Sequence, residues 1–108
     1  IRALFLANSV PTNYSTAQMN AAAWHILGSF DIPPGSVTLP ATNPYGGGVG
    51  GFEVTEWSVT ANNKNMTYMV KMYENTNVYV FDFKKMDVNA KEIKYTKLNQ
   101  PLLTIPVN

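Results

Sequence analysis

Residues 54–83, VTEWSVTANNKNMTYMVKMYENTNVYVFDF, decide the fold. Side-chain character follows the two-residue period of a strand in three runs, 54–61, 66–73 and 77–83. The intervening Asn62-Asn63-Lys64-Asn65 and Glu74-Asn75-Thr76-Asn77 tolerate turn and left-handed backbone. They predict tight hairpin connections and an antiparallel meander. The first strand sets Thr55, Trp57, Val59 and Ala61 on one side. The second sets Tyr68, Val70 and Met72 against Met69, Lys71 and Tyr73. The third sets Val78 and Val80 against Tyr79, Phe81 and Phe83. A sheet with one wet face alternates more cleanly than this, so both faces call for cover.

Working outward, Met19, Ala22, Ala23, Ile26, Leu27 and Phe30 recur at helical spacing and predict a helix over 16–27. Ser15 and Gln18 form a capping-box pattern at its start, and Gly28 is the expected left-handed stop. Ala21, Ala22 and Ala23 allow a close neighbour. Ile1, Leu4 and Phe5 share a helical face, so the chain begins inside a helix and with Ile rather than Met. The expectation is a cut end, made by an artificially chosen boundary, by a proteolytic nick or by maturation of a precursor. One helix of about twelve residues leaves the second face of the meander uncovered. A last strand is expected over 92–98, with Ile93 and Tyr95 on one side and Lys94, Thr96 and Leu98 on the other. Pro101 and Pro106 exclude the tail from a central strand, so Leu102, Leu103 and Ile105 are expected to lie extended over an apolar surface.

The stretch 31–51 is rich in proline and glycine and reads as a long loop. Its Gly46, Gly48 and Gly51 match G-x-G-x-x-G, but that fingerprint needs a strand before it and a helix after it, and the sequence provides neither. Nucleotide binding is not the reading. The 108 residues make one domain-sized segment, and 8 Lys and Arg against 7 Asp and Glu leave no basic field for nucleic acid. Without Cys there is no thiol nucleophile, disulfide or zinc-thiolate site, and one His rules out a multi-histidine metal site within the chain. No apolar run approaches the ~18 residues of a membrane-spanning helix. The chain reads as soluble, with no cofactor. His25, the sole imidazole, has no G-x-S-x-G elbow to serve and reads as a packing or hydrogen-bonding residue. The sequons at Asn13 and Asn65 match the roughly 1.7 that composition alone gives and carry nothing.

Five segments carry a resemblance: Arg2-Ala3; His25-Ile26-Leu27 before Phe30-Asp31-Ile32-Pro33-Pro34-Gly35; Thr55-Glu56-Trp57-Ser58; Tyr73-Glu74-Asn75; and Val80-Phe81-Asp82-Phe83-Lys84-Lys85-Met86-Asp87. In this order they resemble the C-terminal third of the choloylglycine hydrolase and penicillin V acylase family. The resemblance implies an N-terminal-nucleophile fold, two antiparallel sheets between helix layers, and hydrolysis of linear C–N amide bonds. It also implies an N-terminal Cys whose thiol attacks the carbonyl while its own α-amino group acts as base. No Cys is present here, so the resemblance places no catalytic residue in this chain and predicts that it is inactive alone. Arg2 is assigned a structural or supporting role beside the family's catalytic arginine, and Thr55 and Trp57 match a strand motif read as sheet packing. The implied partners are the N-terminal part of the same enzyme, as a companion chain, and further copies in a homo-oligomer. The resemblance leaves open a cytoplasmic or periplasmic location and a bile-salt conjugate, penicillin V or acyl-homoserine lactone substrate. The alternative reading is a free-standing α+β binding or scaffold module displaying Tyr and Trp to a partner.

Overall fold

The computed structural model describes residues 1–39 and 51–108, so the calls on Gly46 and Gly48 lie outside the described residues. The protein is α+β, with two helices and a three-stranded antiparallel sheet. The chain divides into two compact units, Ile1–Thr55 and Glu56–Asn108.

In the first unit, helix α1 spans Arg2–Asn8 and helix α2 spans Thr16–Gly28. The Ser15 capping box closes both ways: Gln18 N–H donates to Ser15 Oγ at 3.3 Å, and Ser15 N–H donates to Gln18 Oε1 at 2.8 Å. Gly28 is not the stop that its type suggests, because it lies within the helix and has no positive φ. The end is made by tightening. The N–H groups of Ser29, Phe30 and Asp31 each reach back three residues, to Ile26, Leu27 and Gly28, and Ser29 Oγ also donates to Ile26 O. Pro33, Pro34, Gly35 and Ser36 then turn the chain, with Gly35 at φ +88 and Ser36 N–H donating to Pro33 O at 3.3 Å. Proline second and a positive-φ glycine third make this a type II turn.

Beyond the turn the chain pairs with itself, where the sequence predicted only loop. Thr38 and Phe52 form an antiparallel bridge, flanked by bonds from Leu39 N–H to Gly51 O and from Glu53 N–H to Val37 O. Thr55 is committed to Ile32, so the first sheet strand starts three residues later than its alternation suggests.

In the second unit, β1 spans Trp57–Asn62, β2 Thr67–Met72 and β3 Val78–Asp82, in the order β1-β2-β3. Directly paired residues share a face. One face therefore gathers Trp57, Val59, Ala61, Tyr68, Val70, Met72, Tyr79 and Phe81. The other gathers Ser58, Thr60, Met69, Lys71, Val78 and Val80. Asn62 pairs with Thr67, which makes the first hairpin a four-residue loop. Asn62 Oδ1 accepts from Asn65 N–H, and Met66 takes the left-handed position at φ 55 instead of opening the strand. The second connection is longer than a tight hairpin, since Lys71 and Val78 are its last pair.

Residues 92–98 form no strand. Their alternation survives with the opposite sense to a packed strand: Ile93 and Tyr95 are 78% and 89% exposed, while Lys94 and Thr96 line a hollow of about 400 Å³ with Phe81 and Met86. Leu102, Leu103 and Ile105 do not lie over an apolar surface either; all three are exposed. Pro101 interrupts ladder formation, and the tail is held through its backbone instead.

Candidate functional site

Arg2, Thr55 and Trp57 are the candidate residues from sequence. Arg2 opens α1, where the helix dipole disfavours a cation, and its guanidinium carbon lies 5.5 Å from the centroid of the Phe30 ring. Thr55 N–H donates to Ile32 O at 3.2 Å, and its Oγ1 accepts from Ile32 N–H at 2.8 Å. Phe30 and Ile32 are two residues apart, so the short stretch after α2 receives both Arg2 and Thr55. The first contact joins two side chains and the second fixes backbone, and neither leaves a reactive group poised. Trp57 lies in the other unit, at the start of β1 opposite Met72, and is 58% exposed.

An open groove of about 460 Å³ lies between α1 and α2. Leu6, Val10, Ala22 and Ile26 make its apolar wall, and Tyr14, Gln18 and His25 its polar margin. The Ala21-Ala22 face keeps the wall low. His25 is exposed, and neither a carboxylate nor a thiol lines the groove with it. This arrangement can hold an apolar side chain; it assembles no nucleophile with a base. Among the described residues, no three His, Cys, Asp or Glu side chains gather as a metal site. No described helix is long and apolar enough to cross a membrane.

A second constellation escaped the sequence reading. Asn75 Nδ2 donates to Gln100 O at 3.1 Å, and Tyr79 Oη accepts from Gln100 N–H at 2.9 Å. Asn77 Nδ2 donates to Pro101 O at 2.7 Å, and its Oδ1 accepts from Leu103 N–H at 2.8 Å. Three side chains thus bind four backbone groups of an extended segment, as a neighbouring strand would. The signal was Asn-x-Asn-x-Tyr at a hairpin, which is indistinguishable by composition from ordinary turn chemistry. Asn75 does serve the turn too, since its Oδ1 accepts from Asn77 N–H at 2.9 Å.

Comparison of the chain with protein-family models and with curated proteins returns no match.

Proposed function

We propose that this chain is the C-terminal structural portion of a linear-amide C–N hydrolase of the choloylglycine hydrolase and penicillin V acylase kind. Its helices and sheet would form part of an N-terminal-nucleophile αββα sandwich. The observation that carries the reading is the shortage of core. Among the described residues, Val54, Met69 and Val70 are the only buried large apolar side chains, against 22 that are exposed. Exposed single apolar residues are ordinary, but here they include both faces of one sheet, with Trp57 on one and Val78 and Val80 on the other. A sheet of three strands with both faces apolar needs layers on each side. The contacts of Phe30 with Arg2 and of Ile32 with Thr55 add support, because they join three of the segments that carry the resemblance.

In this reading the nucleophilic Cys and its helpers belong to sequence outside these residues. Arg2, Thr55 and Trp57 hold backbone and sheet in place. The test is denaturing intact-mass analysis of the isolated protein, followed by amine release from penicillin V and from a conjugated bile salt. The expected result is a larger companion beside the 12.0 kDa chain, with an N-terminal Cys whose alkylation abolishes release. A 12.0 kDa species that is alone, folded and monomeric overturns the reading and leaves a binding module in its place.

A further inference from the structure

Residues 92–96 turn their charged side chains inward and their apolar ones out. Ile93 and Tyr95 stand 78% and 89% exposed, while Glu92, Lys94 and Thr96 line a hollow of about 400 Å³ with Phe81 and Met86. Turned over by one residue, the same stretch would set Ile93 and Tyr95 on Phe81 and Met86 and take their surface out of water. The structure keeps polar groups over an apolar floor instead, which is the make-up of a small-molecule pocket rather than of a core. We propose that this hollow is a binding site for a free α-amino acid with an apolar side chain, its ammonium on Glu92, its carboxylate on Lys94 and its side chain on Phe81 and Met86.

The charges around the hollow divide into two that the chain uses itself and two that it leaves open. Lys85 Nζ lies 3.8 Å from Asp82 Oδ2, and Asp87 Oδ1 accepts from Asn89 N–H at 3.0 Å. Glu92 and Lys94 carry opposite signs and line the same hollow, yet among the described residues they make no ion pair with each other or with any other side chain. An open carboxylate beside an open ammonium asks for a ligand that carries both complementary charges, since an anion or a cation alone answers only one of them. A single carbon bearing an ammonium, a carboxylate and a side chain sends these groups in three directions, as Glu92, Lys94 and the apolar floor require. The volume of about 400 Å³ falls at the lower end of the ~300–1,000 Å³ of ligand pockets, which suits one amino acid rather than a peptide. The Phe81 ring and the Met86 thioether both favour an aromatic or large aliphatic side chain against them.

Nothing in this site depends on the hydrolase reading. The test is titration of the ¹⁵N-labelled protein, the whole polypeptide as isolated, with L-phenylalanine, followed by amide shifts and by NOEs from the ligand ring. The shifts should be confined to Phe81, Met86 and residues 92–96, with NOEs to the Met86 methyl group. Glycine, which has the same head and no side chain, should bind at least tenfold more weakly. Phenethylamine lacks the carboxylate and hydrocinnamate lacks the ammonium, so each variant has an analogue that is blind to it. Lys94→Gln should weaken L-phenylalanine about fivefold and leave phenethylamine unchanged, and Glu92→Gln should weaken it about fivefold and leave hydrocinnamate unchanged. Both side chains are exposed and without an ion pair, so the variants should keep the β2 amide spectrum of the parent. Absence of binding at about 10 mM, shifts elsewhere in the protein, or equal losses for the zwitterion and its singly charged analogues overturn the proposal.

Discussion

Asn77 holds Leu103 by its backbone while leaving its side chain in solvent: Oδ1 accepts from the Leu103 N–H at 2.8 Å, and the leucine is 78% exposed. With the bond from Asn77 Nδ2 to Pro101 O, one side-chain amide brackets Leu102 as a peptide group of a paired strand would. Two neighbouring bonds to Gln100 come from Asn75 and Tyr79. Four polar contacts thus position the tail's backbone, which sets the hierarchy of its stability below that of the sheet.

Asn77→Ala removes two of the four bonds and should release the tail without unfolding the hairpin. Each exposed bond is worth ~0.5–1.5 kcal/mol net, so exchange of the Leu103 amide should accelerate about tenfold while amides of β2 are unchanged. Hydrogen exchange followed by NMR measures both. Equal acceleration in β2 would show that the clamp is part of the sheet's own cooperative unit.

Gly28 and Gly35 should respond in opposite directions to the same substitution. Gly28 is helical, and an added Cβ meets nothing within 4 Å, so Gly28→Ala should stabilise by about 0.5–1 kcal/mol. Gly35 also has open space, but its φ of +88 is the left-handed position of the turn, so Gly35→Ala should cost roughly 1–2 kcal/mol. Urea midpoints of the two variants decide it, and a shift of the same sign in both contradicts the assignment of the helix end.

Gly28 marks a limit of what local sequence made readable. Ser15 and Gln18 form a reciprocal pair four positions long, and the period of β1, β2 and β3 depends only on neighbours, so the helix start and the meander were legible. Gly28, Met66 and Ile93 were not. A glycine after an apolar stripe looks like a stop, but Ser29, Phe30 and Asp31 can close the helix by i to i−3 bonds without it. Met66 becomes left-handed because pairing of Asn62 with Thr67 counts it into the loop, which no property of methionine announces. Alternation at 92–98 is present, yet it cannot say whether Ile93 and Tyr95 face the sheet or solvent. Among the candidate residues, Thr55 was read as sheet packing but lies before β1 and bonds to Ile32, 23 residues away, and the partners of Arg2 and Asn77 lie 28 and 26 residues away in sequence, beyond any local pattern.

Thr60 exposes an imperfection in the sheet. Its Oγ1 is buried without a hydrogen-bond partner among the described residues, and its cross-strand row continues through Met69 to Val80. Thr60→Val conserves the β-branched shape and removes an unpartnered hydroxyl from apolar neighbours. The expected change is a gain of about 1 kcal/mol, read as a higher urea midpoint with an unchanged slope. No gain would indicate that the hydroxyl has a partner.

Val80 separates a sheet face that stays wet from one that is covered. It is 60% exposed at the outer strand β3, in the same row as buried Met69. If solvent is its final environment, Val80→Lys changes stability by no more than ~0.5 kcal/mol, as surface substitutions do. If the companion proposed for the hydrolase covers this face, the lysine places a charge against apolar surface. The cost is then about 2–3 kcal/mol, a loss of roughly 30- to 150-fold in companion affinity. Val80→Ile retains the apolar contact and should leave affinity within about threefold, which distinguishes a charge effect from damage to the strand. The measurement is companion dissociation in urea, followed by light scattering, for the parent protein and both variants. Loss with lysine and retention with isoleucine is the outcome that the two-sided sheet requires; equal behaviour of the two variants means that nothing packs on Val80.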